Sequence, residues 1–517
     1  MVVASCSESH ALFSKENVTR AWIALKKLHP LISARISERA DETGFDFVVS
    51  EDRINIAASN EILYKSVQSN DEAFELMTAS VNDEPTLSLD LLGQLWVISV
   101  EDDGPILNDL CTWHLSFYMQ HSIMDGMAIF HQARIFFDIL CSSELHPKYQ
   151  YEGTFEDYLN LHISLEDLNS RRDSVPRLRW RRAIAKVIRL RRASTWTGGH
   201  TLPENPLRHD PHFPQASRSF TFKFDEDTTK RILDSCRRAG ITLGHATRAL
   251  CQVAHSRVAH RLYAKGLISE KEWEVKIREP MHFGGPVNLR PHIDPRWLEG
   301  GARGCLAIAA SDAITLPAMP VMPVKERSEI PFNPSFEQLL SKENFLRRCL
   351  FAKRQGDLMT KHPLVVEFSE VIHEFMEERY KAFSLRWKAS LNPSPVLSLV
   401  PEVNWPATFA NSCSTLGSMN GILPSKYPIP RSDLDSPITP RLELKGVRIY
   451  IRCPPRQFYV SSLTFEDELQ LIVLVDVSTY DEEVVKEWFG DLKDAMVWYL
   501  GDHHDRRKVK AENLAKL

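Results

Sequence analysis

This 517-residue sequence lacks the features that mark disulfide-bonded, zinc-binding and membrane-spanning proteins. The nine cysteines are scattered and odd in number, with no pair separated by two residues, so we expect neither a disulfide framework nor a cysteine zinc site. No apolar run reaches the roughly 18 residues of a membrane span, and the first residues lack a basic segment followed by an apolar one. These absences predict reduced thiols and a cytoplasmic protein.

A strong net charge is also missing. The formal charge is −5 and the isoelectric point about 6.5, so no positive field would recruit nucleic acid, and we expect no nucleic-acid partner. The composition, 43% hydrophobic and 25% charged, is that of a globular protein. Because the length exceeds what one core usually organises, we expect two domains, 1–192 and 218–517. They would be joined by a linker at 193–217, which is rich in Gly, Pro, His and Thr.

Strand and helix patterns alternate along the chain, which predicts an α/β fold. Ser14 is suited to cap a helix that ends at His29. Residues 315–337 and 391–440 are rich in proline and are predicted loops. The other predicted elements are strands at LISARI (31–36), FDFVV (45–49), LWVISV (95–100), SRSFTFKF (217–224) and LQLIVLVDV (469–477), helices from about 228, from Thr242 and from Asp481, and a short element at PVNLRPHI (286–293).

The stretch CTWHLSFYMQHSIMDGMAIF carries the strongest chemical signal. Its first nine residues alternate as in a strand, with one face for the core and a second, including His114, for polar surroundings. His121 falls where the strand ends, and Asp125 and Gly126 precede an amphipathic helix. A histidine can accept a proton from an alcohol near neutral pH. However, an imidazole beside a helix start is commonly structural, and aspartate is a preferred helix cap.

A basic segment stands apart from the rest of the chain. Residues 171–192 hold ten basic side chains and one acidic one. The segment is either a solvated amphipathic helix or a surface for the phosphates of an anionic cofactor or a lipid. The sequence leaves both interpretations open.

The strand, the motif HSIMDG (121–126) and the helix after it resemble a known family, the acyltransferases with the chloramphenicol acetyltransferase-like fold. That family includes the BAHD enzymes, with motif HxxxD, and the condensation domains of peptide synthetases. AWIALKKLHPLISARI (21–36), VNLRP (287–291), SCSTLG (412–417) and the closing LTFEDELQLIVLVDVSTYDEEVVKEWF also resemble family segments, in the same order. Gln120 replaces the first histidine of condensation domains, and the plant DFGWG motif is absent. The chain is therefore most similar to free-standing fungal O-acyltransferases, such as alcohol or trichothecene O-acetyltransferases.

The resemblance implies two domains, each with a mixed sheet and flanking helices, and an active-site channel at their interface. It implies a monomeric acyltransferase that moves an acyl group, most simply acetyl, from acyl-CoA to a hydroxyl of a small secondary metabolite. Acyl-CoA would be a co-substrate, with no bound cofactor and no metal.

The resemblance also assigns roles to residues. His121 would be the general base that takes the proton of the acceptor. Asp125 would hold the turn by pairing with Arg290. The other implied site residues are Gly126, after the aspartate, and Ser414 or Thr415, as donors to the oxyanion.

Three rival interpretations remain beside this one. A metal hydrolase built on His114, His121 and Asp125 lacks an HExxH motif or a Cys/His cluster, and a serine hydrolase lacks a GxSxG elbow. A non-catalytic homologue that binds a small ligand or a partner is the third. It is favoured by the helix ending at His29, which begins unusually early for the family and predicts a shortened N-terminus lacking part of a sheet.

Overall fold

The computed structural model describes residues 2–6, 9–41, 44–82, 86–101, 111–142, 149, 153–160, 173–205, 216–294, 304–320, 327–391, 407–430, 439–454 and 456–501. The strands are β1 (Val2–Cys6), β2 (Arg35–Glu38), β3 (Phe45–Val48), β4 (Ile62–Val67), β5 (Gly93–Val100), β6 (Cys111–Met119), β7 (Ser217–Lys223), β8 (Met281–Gly284), β9 (Pro286–Asn288), β10 (Ile308–Ala310), β11 (Ile314–Leu316), β12 (Phe409–Ser418), β13 (Lys426–Tyr427), β14 (Leu442–Val447), β15 (Phe458–Phe465) and β16 (Glu468–Asp476). The helices are α1 (Ser9–Leu12), α2 (Lys15–Leu28), α3 (Glu51–Asn55), α4 (Asn70–Asn82), α5 (Gly126–Cys141), α6 (Phe155–Leu159), α7 (Val175–Ala193), α8 (Glu226–Arg238), α9 (Leu243–Ala264), α10 (Glu270–Arg278), α11 (Phe336–Leu339), α12 (Lys342–Thr360), α13 (Val365–Leu391) and α14 (Glu482–Met496).

The described strands form two six-stranded sheets and two small two-stranded ones. The first sheet has the order β13-β14-β1-β6-β5-β4, and the second has the order β11-β8-β12-β15-β16-β7. Both are mixed, because β4 runs parallel to β5, and β12 runs parallel to β8 and β15, while the other pairs are antiparallel. The predicted α/β class with a mixed sheet and flanking helices is confirmed.

Two hydrophobic cores lie on opposite faces of the second sheet. The first core joins α2, α5 and β6 to one face, and the second core joins α8, α9, α12 and α14 to the other. Both faces are apolar, which explains the continuous apolar run LIVLV in β16. In β15 and β16 the residues of the first core are Leu463, Phe465, Ile472 and Leu474, and those of the second are Phe458, Val460, Leu469, Leu471, Val473 and Val475.

Most element predictions are confirmed, and the wrong ones have local causes. Ser14 caps α2 and Thr242 caps α9, each by accepting a backbone hydrogen bond. The predicted strand 31–36 begins as a 3-10 turn at Pro30–Ser33, because proline fixes φ and has no N–H to give to a ladder. The predicted loop 391–440 contains β12 and β13. In β12, Asn, Ser and Thr fill positions where an apolar alternation would reveal a strand.

A strand near the first residue corrects the expectation of a sheet with a missing part. β1 pairs antiparallel with β6 on one side and with β14 on the other, so it lies inside the first sheet. Its short sequence VVASC is not long enough for periodicity to identify a strand. The first sheet is continuous from β13 to β4.

The polar face of β6 is buried under α4, whose Asn70 and Ser80 give it the predicted polar surroundings. His114 Nε2 lies 2.7 Å from Asn70 Oδ1, and Ser116 Oγ donates to Met77 Sδ at 2.8 Å. Burial, together with the charge of Arg448, lowers the pKa of His114 to about 4, so this imidazole is neutral at pH 7. Helix α4 therefore covers the face that the alternation left unassigned.

Both sheets take strands from the second half of the chain, since β13 and β14 complete the first sheet. Residues 206–215 of the predicted linker lie outside the described residues. Its described part forms bridges from Gly198 to Ala407 and from Glu204 to Tyr480. The predicted domain limits stay a prediction. None of the described helices is long and apolar enough to cross a bilayer.

Candidate active site

His121 lies in a turn between β6 and α5, just beyond the end of the strand. Backbone hydrogen bonds from Gln120 N to Leu92 O at 2.9 Å and from Ile123 N to Gln120 O at 3.1 Å hold this turn. The side chain of His121 is exposed, and it makes no hydrogen bond within the described part of the chain. The imidazole can therefore accept a proton from a bound group.

Asp125, four residues later, is buried, with 3% of its surface exposed. Its Oδ1 accepts hydrogen bonds from Met127 N at 3.0 Å and Ala128 N at 2.9 Å, which caps α5. Arg290 donates from Nη2 to Oδ1 at 3.0 Å, and its Nη1 lies 3.0 Å from Oδ2. Ala307 N also donates to Oδ2, at 2.8 Å. These five contacts occupy both oxygens, so the carboxylate holds the turn and has no lone pair left to orient the histidine.

Arg290 reaches Asp125 because the chain before it crosses closely over β12. Gly285 has φ +157°, and a Cβ there would lie 2.2 Å from Cys413 O, so only glycine fits the crossing. β9 follows, and Asn288 Oδ1 accepts from the backbone N–H of Arg290 at 3.1 Å at the start of a 3-10 turn. The structure thus brings together Asp125 and Arg290 from stretches 165 residues apart.

The loop 304–307 supplies partners that sequence reasoning missed. Cys305 O accepts a hydrogen bond from Arg290 Nη2 at 2.5 Å, and Gln132 on α5 donates to Gly304 O at 2.8 Å. These contacts use backbone atoms of a loop, which leave no signal in the residue types. Burial raises the pKa of the Cys305 thiol to about 12, so it stays protonated at neutral pH.

Ser414 and Thr415 lie on opposite faces of β12, as adjacent residues of a strand do. Ser414 lies beside Tyr459, which packs on the first core and whose pKa burial raises to about 12. Thr415 Oγ1 accepts from Ser462 at 3.2 Å and lies against Gly244 at the start of α9, on the side of the second core. The two hydroxyls therefore cannot serve one oxyanion, and Ser414 is the one on the side of α5.

Gly126 and Leu416 mark a place where the two halves of the chain meet. A Cβ on Gly126 would lie 3.6 Å from Leu416 Cδ2, and Leu416 packs on the first core. The end of β12 therefore lies beside the start of α5, next to the histidine turn. Since 3.6 Å is an ordinary contact, the packing does not require glycine at this position.

The residues of the rival metal site serve other contacts. His114 faces α4, where it contacts Asn70, and both oxygens of Asp125 are occupied. Among the residues that the structure describes, no cluster of three or more His, Cys, Asp or Glu side chains could hold a metal ion.

Comparisons with known proteins find likeness in structure. No family model and no curated protein matches the chain. The trichothecene 15-O-acetyltransferase from Fusarium sporotrichioides has a TM-score of 0.68 and 13% identity, over 96% of this chain and 90% of that chain. The X-domain from teicoplanin biosynthesis has a TM-score of 0.54 and 10% identity, over 97% of this chain and 90% of that chain. The epimerization domain from the third module of tyrocidine synthetase B has a TM-score of 0.51 and 12% identity, over 96% and 91%.

Identities this low bear on the fold alone. Each of these likenesses covers nearly the whole of both chains, and the two mixed sheets with flanking helices agree with them. The chain therefore has the two-domain chloramphenicol acetyltransferase-like fold, which the 15-O-acetyltransferase shares with the epimerization domain of tyrocidine synthetase B.

Proposed function

We propose that the protein is an acyl-CoA-dependent O-acyltransferase that acylates a hydroxyl of a small molecule, with His121 as the general base. The turn 121–126 is the observation that supports this most. Asp125 is fully engaged by α5, Arg290 and Ala307, so the histidine stands exposed and unpaired among the described residues, on a fixed support. An O-acetyltransferase among the structures of the same fold adds support for the reaction class.

The proposed reaction is a direct acyl transfer. His121 takes the proton of the acceptor hydroxyl while the hydroxyl oxygen attacks the thioester carbonyl, so no free alkoxide forms. The tetrahedral oxyanion then collapses, the carbon–sulfur bond breaks, and the imidazolium returns the proton to the departing thiolate. The products are the ester and coenzyme A, and the histidine is neutral again.

Three other side chains support the histidine in this proposal. Asp125 and Arg290 are positioning residues, since a displacement of about 1 Å at the reacting centre can cost about 100-fold in rate. Ser414 would donate a hydrogen bond to the oxyanion, which contributes roughly 3–4 kcal/mol when the donor is well placed.

The proposal includes acyl-CoA as co-substrate and needs no bound cofactor. Acetyl is the first acyl group to test, and a small hydroxylated secondary metabolite is the proposed acceptor. A monomeric state and a cytoplasmic location belong to the same proposal.

Thiol release from acyl-CoA tests this function. The purified protein is given acetyl-CoA or longer acyl-CoAs with pooled terpenoid alcohols, hydroxylated alkaloids and simple alcohols, and we expect release that depends on an acceptor. The substitution His121→Ala should lower the rate of thiol release about 10²- to 10⁴-fold. His373→Ala, which removes an exposed histidine on α13, is the matched control and should keep it. Wild-type turnover by folded His121→Ala would refute the general base.

No specific observation in the structure supports the alternative that the protein is a non-catalytic homologue. Its ground was a sheet lacking its N-terminal part, whereas β1 lies within the first sheet. A rise in melting temperature on adding acyl-CoA, with no thiol release for any acceptor, would favour this alternative over the transferase.

A further inference from the structure

Helix α7 has an outer face that no described residue covers. Trp180, Val187 and Leu190 are 67%, 66% and 50% exposed. With the exposed Ala183 between them, they follow one side of the helix at intervals of three and four residues. At about 1.5 Å per residue this apolar stripe is roughly 15 Å long.

The inner side of α7 is fully used by contacts within the protein. Ala185 packs with Leu364, Phe368 and Val371 in a small cluster between α7 and α13. Basic side chains on this side each meet a carboxylate. The pairs are Arg181 with Glu367, Arg182 with Glu370 and Glu374, Lys186 with Glu374 at 3.6 Å, Arg189 with Asp312 at 2.8 Å and Arg192 with Asp312 at 3.2 Å.

The flanks of the apolar stripe are positive. Arg179 and Arg191 are exposed on either side of it and make no ion pair with any described residue. Arg177 is 68% exposed beside Asp173. Helix α7 contains eight basic residues and no acidic one, whereas the whole chain has a net charge of −5. The positive charge is therefore a local property of this helix.

We propose that this outer face of α7 docks the protein on the surface of a bilayer that contains anionic phospholipids. An apolar stripe that carries a tryptophan fits the boundary between headgroups and acyl chains, where such helices sink about 5–10 Å. Arginine stems are long enough to keep their guanidinium groups at the level of the lipid phosphates. The face is the side of a single helix and not a groove, which suits a broad surface better than an inserted peptide. This docking goes beyond the proposed acyl transfer and does not depend on it.

Co-sedimentation with vesicles tests the docking. The full chain is mixed with phosphatidylcholine vesicles, or with vesicles that also contain phosphatidylserine, at low and at high salt. We expect binding to the phosphatidylserine vesicles alone, and weaker binding at high salt, because salt screens the attraction of exposed charges.

Two pairs of substitutions separate the two parts of the face. Arg179→Gln with Arg191→Gln should weaken the partition to anionic vesicles about tenfold or more, since each basic residue near such a surface contributes about fivefold. Trp180→Ser with Val187→Ser should also weaken it while leaving the charge unchanged. Because these residues are exposed, the melting temperature should not change.

Matched controls lie on a different part of the surface. Arg278→Gln on α10 removes a positive charge that is 73% exposed, and Leu267→Ser removes an apolar side chain that is 66% exposed. Both should bind anionic vesicles as the wild type does. A loss equal to that of the α7 variants would overturn the assignment to this face.

Other occupants of the face give distinct results, and each would overturn the proposal. A second copy of the chain would give a dimer without vesicles, which Trp180→Ser converts to a monomer. An acidic protein partner would be indicated by binding to polyglutamate as strong as the binding to vesicles. Phosphates of the acyl donor would be indicated by a higher KM for acyl-CoA in the arginine variant without any vesicle binding. No vesicle binding at low salt would overturn it outright.

Discussion

The first prediction concerns the buried carboxylate of Asp125 and the guanidinium of Arg290, which has little access to water. Asp125→Asn keeps the size of the side chain but removes its charge, while Arg290→Ala removes the partner. We expect each change to lower the free energy of unfolding by about 3–5 kcal/mol, because each leaves a buried charge unpaired. Since both remove the same interaction, the double variant should lose less than the sum. Urea unfolding measures all three, and additive losses would contradict the pairing.

The opposite faces of Ser414 and Thr415 make the second prediction. Ser414→Ala should lower kcat about 100- to 1,000-fold if its hydroxyl stabilises the oxyanion. Thr415→Ala, one residue away but on the side of α9, is the matched control and should stay within about twofold. The thiol-release assay measures both once an acceptor is known. Equal losses in the two variants would show that the face of the strand does not decide the role.

At the scale of single residues, the sequence predicts those site residues that belong to a short local motif. His121, Asp125 and Arg290 stand in short motifs, so they could be named from the sequence. Ala307 and Cys305 act through backbone atoms, which no residue type reveals. The faces of Ser414 and Thr415 depend on which core each side of β12 meets, and only the packed sheet decides that.

The burial of His114 between strand β6 and helix α4 leads to a prediction about how the free energy of unfolding depends on pH. Burial and Arg448 lower the pKa of His114 to about 4 in the folded protein, whereas an unfolded histidine has a pKa of about 6.5. Between these values the unfolded chain binds the extra proton, so the free energy of unfolding falls as the pH is lowered from about 6.5 to about 4. Burial also lowers the pKa values of His200, to about 3, and His255, to about 4, so a variant must isolate the effect of His114.

His114→Gln isolates it, because glutamine does not take up a proton and can still hydrogen-bond Asn70. Over the same pH range its free energy of unfolding should fall less than that of the wild type. Urea unfolding at a series of pH values measures the difference. Parallel curves for the two proteins would mean that His114 adds nothing to the acid sensitivity.

The inner side of α7 makes the fourth prediction. Glu367 is 3% exposed and pairs with Arg181, so Glu367→Gln should lower the free energy of unfolding by about 1.5–3 kcal/mol, the usual contribution of a hydrogen bond to a charged group. Glu374→Gln, whose side chain is 41% exposed, should cost about 1 kcal/mol at most. Thermal unfolding compares the two, and equal small losses would contradict a buried pairing.

Helices and strands were predicted correctly where the apolar periodicity was strong. Periodicity could not predict which other element packs on each face of a helix or strand. The helical pattern of 171–192 identified α7, but the two interpretations of its charge could not be separated without knowing what faces each side. The structure gives a carboxylate-rich helix, α13, to one side and leaves the other exposed. The alternation of β6 was likewise correct, but it did not identify the helix that covers the polar face, because α4 is distant in sequence.

At the scale of the whole molecule, strands that are far apart in sequence pair with each other. Local residue patterns do not predict these pairings. In the first sheet Val2 lies opposite Leu115 on one side and Val447 on the other. Pairings of this kind close long loops, so they are selected by the burial of the complete core and not by the residues of one strand. The resemblance to a two-domain fold gave the architecture, while the exchange of β13 and β14 into the first sheet was not predicted.

This exchange makes the last prediction, about the segment 1–192 expressed alone. It would lack β13, β14, Arg290 and the second-sheet part of the first core, four large side chains at Leu463, Phe465, Ile472 and Leu474. Burial of one such side chain is worth about 1.5–3 kcal/mol, and a whole domain is stable by only about 5–15 kcal/mol. We therefore expect the fragment to show no cooperative unfolding transition by circular dichroism. Co-expression with 193–517 should restore a complex that unfolds as the full chain does. A cooperative transition in the fragment alone would mean that the first sheet closes without its strands from the second half.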